Sequence, residues 1–146
     1  MEDRMVNAKQ VSSYKTVAVD TASPAKLILM LYDGATRFLG TALNGFEQED
    51  VRVRHETVHN NLMKAQNIVL ELQRCLNHQD GGEFAMNMFR IYDYMNNQIM
   101  EANMKKEPGN IRQVINMIGE LREAWEQMMK EQTAASAQPV GLSLSA

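Results

Sequence analysis

His55-Glu-Thr-Val-His59 is the stretch of this chain whose residue types and spacing come nearest to a catalytic device. On a helix its two imidazoles stand one turn apart and can hold a zinc ion, while Glu56 is placed to act as a base on metal-bound water. The rest of the machinery is missing from the sequence. A metzincin would need Gly and His where Leu62 and Ala65 stand, and His78 lies about five turns further along the same helix, too far to share the metal. Glu56-x-x-His59 is also half of a di-iron pattern, but a ferritin-like bundle needs a second copy and two further inward glutamates. No second copy exists.

Other chemistry is weaker still. Cys75 is the only cysteine, which excludes an internal disulfide and suits a reducing compartment. Its place off the centre of the helix seam makes it a small apolar filler. Gly81-Gly82 has no strand before it and reads as a turn, not a phosphate loop. The net charge of −3 comes from 15 basic and 18 acidic residues. They are interspersed, and Arg52 with Arg54 or Lys105 with Lys106 is too sparse for the concentrated basic face that nucleic acid needs. The start Met1-Glu-Asp-Arg lacks an apolar signal core, and no apolar run reaches the ~20 residues needed to cross a bilayer. These features predict a cytoplasmic protein with no cofactor and no metal, not an enzyme. A zinc-dependent hydrolase on His55, Glu56 and His59 is the rival of another class.

The elements that carry these residues are helices. Ser23 is placed to cap a helix whose first residue is Pro24, and Leu27-Ile-Leu-Met-Leu-Tyr32 follows. Leu27, Leu31, Gly34, Phe38 and Ala42 form its core stripe, with Leu29 and Tyr32 pointing elsewhere. A second helix, from about Asp50 to His78, alternates Val51, His55, Val58, Leu62, Ala65, Val69, Leu72 and Leu76 in coiled-coil fashion. The third carries Phe84, Met88, Ile91, Met95, Ile99 and Ala102; the fourth carries Ile111, Val114, Ile118, Leu121, Trp125 and Met128. Asn44-Gly45, Asn77–Gly82 and Glu107-Pro108-Gly-Asn110 break the chain between them. The prediction is an all-α protein: an antiparallel up-down four-helix bundle over 23–131, a mobile N-terminal segment at 1–22 and a disordered tail at 132–146.

Apolar bulk is left over. The chain has twelve methionines, a residue that fills irregular gaps and suits variable apolar partners. Met63 and Leu70 project about 120° from the second helix's seam. Met86, Phe89, Met100 and Met104 make a second ridge on the third. With Leu29 and Tyr32 they are the candidates for lining a groove that takes an amphipathic helix.

The string Val19-x-Thr-Ala-Ser-Pro-x-x-Leu-Ile-x-Met-Leu-Tyr-Asp-Gly34 resembles the signature of the FliS family of flagellin export chaperones. The likeness continues through Lys64-Ala-Gln, Gly81-Gly-Glu-Phe-Ala85, Ile91-Tyr-Asp-Tyr-Met95, Ala102-Asn103 and Leu121-Arg-Glu-Ala-Trp125, with Met88 and Ile91 where leucines are more usual. The resemblance implies a client, the C-terminal helical segment of flagellin, held before type III export, and a meeting with the flagellar export gate. It also implies that the segment around Tyr14 lies near the groove as a cap. The expected state of the protein is a monomer, with a dimer formed by helix exchange as the alternative. An adaptor for a different helical client is the alternative within this class.

Overall fold

The computed structural model describes residues 23–77 and 79–145, with side chains through residue 135. Four helices account for nearly all of it: α1 (Pro24–Gly45), α2 (Val51–Arg74), α3 (Gly82–Lys105) and α4 (Ile111–Ser145). They form the antiparallel four-helix bundle that the apolar periodicity predicts. The segment around Tyr14 and the residue His78 lie outside the described residues.

The helix starts follow local chemistry. Ser23 is extended, and its hydroxyl accepts a hydrogen bond from the Lys26 backbone N–H at 3.3 Å, with Pro24 in the first turn. Asp50 does the same for α2, accepting from the Val53 N–H at 3.0 Å. At the far end of α3, Lys106 takes the left-handed conformation at φ 55° and closes the helix.

Packing is uneven around the ring. α1 lies most extensively against α2; α2 with α3 and α1 with α4 come next, and α3 touches α4 only sparsely. Small residues explain the tight pair. Gly34, Ala35, Ala42 and Gly45 of α1 are buried, and a Cβ on Gly34 would stand 3.1 Å from Ile68 Cδ1. One on Gly45 would come within 2.8 Å of Thr57, so the α1 backbone approaches α2 where no side chain fits. The core of Leu31, Leu39, Leu62, Ile68, Leu72, Met95, Ile99, Ile111 and Ile118 fills the space between the helices.

Two expectations are corrected. The first turns of α2 are not part of the seam: Val51 and His55 are exposed. His59 sits opposite Asn103, near the end of α3, so residues 51–56 overhang past the partner helix. The second helix stops at Arg74 rather than at His78. α4 is helical to Ser145. The alanines at 134, 135 and 137 favour a helical backbone, and residues 131–135 are all exposed.

Candidate functional site

The stripes of α3 and α4 lose their cover toward the same end of the bundle. Near their shared hairpin, Ala102, Ile99 and Met95 of α3 and Ile111, Val114 and Ile118 of α4 are fully or almost fully buried. Further on, Leu121 and Trp125 are half-buried, Met128 is exposed, and Phe84 near the start of α3 is 66 % exposed. Side-chain size follows the same gradient, from Ala102 and Val114 at the hairpin to Phe84, Met88, Trp125 and Met128 at the open end. α3 and α4 part there.

The gap they leave is an open cavity of about 820 Å³. Leu27, Ile28 and Tyr32 of α1, Leu72, Cys75 and Leu76 at the end of α2, Phe84, Met88 and Tyr92 of α3, and Leu121, Trp125 and Met128 of α4 line it. The walls are overwhelmingly apolar. One wall is pinned: the Trp125 indole N–H donates to the Ala25 carbonyl at 2.9 Å, tying α4 to the first turn of α1. Arg122 reinforces that joint, bonding to Asp33 of α1 and to Glu126 one turn on. The Arg122 guanidinium holds the Glu126 carboxyl below its usual range, with Lys130 adding to the effect.

The floor holds a polar pair. Tyr32 and Tyr92 share a hydroxyl–hydroxyl hydrogen bond of 2.6 Å across the diagonal of the bundle. Burial pushes both phenols above the usual tyrosine range, Tyr92 the more strongly. Tyr32→Phe strands the Tyr92 hydroxyl in the core and is expected to cost about 1–3 kcal/mol, whereas the double Phe variant costs less than twice that. A raised folded-state pKa stabilises the fold below the unfolded phenol's value and loses that contribution as pH climbs. Alkaline melting of the parent protein is therefore expected to steepen above about pH 10, and to do so less in the double variant.

Of the described residues that the sequence marks out to meet a partner, the groove takes in only Tyr32. Its angle on the helix predicts a side chain pointing away from the core; instead it is buried at 2 % exposure, because Tyr92 draws its hydroxyl inward. Leu29 lies half-buried on the outer side, in a shallow hollow of about 510 Å³ with Met129 and Lys130. Leu70, Met86, Phe89, Met100 and Met104 are exposed and Met63 is half-buried. They lie beside the α2–α3 seam, outside the groove. The groove's own residues have the sequence pattern of core, and Cys75, a filler by its pattern, is exposed at the groove's edge. The signal that marks them is the size gradient along the two stripes.

The zinc-like constellation is engaged otherwise. Glu56 accepts a hydrogen bond from Arg52 at 3.2 Å, and His59 Nδ1 faces the Asn103 amide at 3.1 Å. Among the described residues no three His, Cys, Asp or Glu side chains stand close enough to hold a metal ion, and no helix is long and apolar enough to cross a membrane.

Sequence comparison places the bundle among known proteins. The family model for the flagellar protein FliS matches residues 5–132. The flagellar secretion chaperone FliS of Vibrio cholerae is 37 % identical over 136 residues, covering 90 % of this chain and 97 % of the relative. Its namesake in Bacillus subtilis is 35 % identical over 121 residues (83 % of this chain and 86 % of the relative). The Salmonella typhimurium protein of the same name is 36 % identical over 129 residues, covering 85 % and 93 %. A bundle open along one edge, matched over most of its length by flagellar secretion chaperones, belongs to the FliS family.

Proposed function

We propose that this protein is the cytoplasmic export chaperone of flagellin. It binds the C-terminal helical region of flagellin, covers the surface through which subunits polymerise, and delivers the subunit to the flagellar type III export gate. The observation that carries this reading is the apolar groove open between α3 and α4. Its α4 wall runs from Leu121 to Gln132, roughly 16 Å at 1.5 Å per residue, which is long enough for three turns of a docked helix. Terminal segments that are unfolded in a monomer and amphipathic in a filament present the alternating apolar anchors such a groove accepts.

Co-purification decides between this client and another. Full-length flagellin is expected to co-purify with the chain, and flagellin lacking its C-terminal helical region is not. Equal recovery of both forms, or of neither, would overturn the assignment.

A further inference from the structure

Two tyrosine hydroxyls are the polar exception at the floor of an apolar groove. Tyr32 enters from α1 and Tyr92 from α3, and both line the cavity while only 2 % and 3 % exposed. Their tips meet at 2.6 Å between diagonally opposite helices, so the pair crosses the groove floor as a bar. No charged side chain lines the cavity among the described residues. The Trp125 indole N–H in the wall is already spent on the Ala25 carbonyl.

Proton counting makes this bar a donor. Each hydroxyl carries one proton and two lone pairs, so the pair holds two protons. One lies between the two oxygens, whichever of them donates. The second has no partner among the described residues. The Cys75 thiol on the same wall is only a weak acceptor. Burial holds both phenols above the usual tyrosine range, so neither proton is lost at neutral pH. The core packed round the two rings is apolar, which leaves the groove as the side from which an acceptor arrives.

We propose that the Tyr32–Tyr92 bar donates one hydrogen bond to a neutral carbonyl oxygen of the bound flagellin segment. This assignment rests on the groove being the client site. A segment that seals the groove takes the spare proton out of solvent, and it must bring an acceptor or leave that donor unmet. A carboxylate is the wrong acceptor, because no cation lines the cavity among the described residues to compensate its burial. An amide oxygen is the right one. It comes from an Asn or Gln side chain, or from the last turn of a helix, where four carbonyls lack intrahelical partners. The groove therefore selects apolar anchors flanking one amide oxygen, rather than apolar bulk alone.

Titration of Trp125 emission with flagellin's C-terminal segment, run on the full chain, is the test. The double variant, Tyr32→Phe with Tyr92→Phe, is expected to bind the segment about tenfold or more weakly than the parent. Either single variant keeps one hydroxyl to donate and is expected to recover most of that loss, a pattern that ring packing alone does not give. Diphenylhexatriene, a hydrocarbon with no acceptor, is expected to bind the double variant as it binds the parent. Replacing the segment's Asn and Gln by Leu and Met separates the two sources of the oxygen. The tyrosine dependence vanishes if a side-chain amide supplies it and persists if a backbone carbonyl does. Equal affinity of parent and double variant for the segment overturns this assignment alone, as does a matching loss of diphenylhexatriene binding. A segment that binds no form of the protein overturns the client reading as well.

Discussion

Phe84→Glu is expected to weaken binding of flagellin's C-terminal segment by about a hundredfold or more while leaving the melting temperature within a few degrees of the parent. In the free protein Phe84 is 66 % exposed at the groove's mouth, so the substitution buries no charge on folding. A carboxylate in the first turn of α3 is even favoured by the helix dipole. The cost arises only when a client helix covers the groove and takes that carboxylate out of water, several kcal/mol if it finds no partner. About 2.7 kcal/mol of that suffices for a hundredfold loss. Trp125 is the only tryptophan of the chain and lines the same groove, so its emission reports the titration directly. Met104→Glu is the control: the residue is 74 % exposed and lies off the groove, and its replacement should leave affinity unchanged. Equal loss with both variants would move the binding surface to the outer ridge of α3.

This pair of variants also marks how far the sequence is legible. Helix number, order and starts follow from local chemistry, because Ser23-Pro24, Asp50 and the Gly- and Pro-bearing turns act within a few residues of themselves. The buried faces follow from period. What period cannot show is whether a stripe has a partner along its full length. Phe84, Trp125 and Met128 sit in register with core residues, yet α3 and α4 diverge before reaching them. Angle alone therefore points to surplus off the stripes, at Met63, Met100 and Met104, when the groove is made by stripes that have lost their cover. Tyr32 shows the converse. Its side chain lies off the stripe by angle, but a hydroxyl partner 60 residues away draws it inside. Pairings of that kind are set by tertiary geometry and leave no local trace.

Leu62→Ala is expected to lower stability by about 2–5 kcal/mol, far more than Phe84→Glu or Met104→Glu. Leu62 is wholly buried in the middle of α2, within a core cluster that joins all four helices. The lost methyl groups and the void they leave both count against the fold. For a domain of this size the melting temperature should fall by roughly 5–20 °C, with the flagellin affinity of the surviving folded protein largely unchanged. The opposite outcomes at Leu62 and Phe84 follow from one quantity, the exposure of each side chain before any client arrives. Apolar surface already removed from water by the fold can contribute only to stability; surface still in water is what remains for binding. A stable Leu62→Ala protein that had lost its client would show that the core, and not the groove, carries recognition.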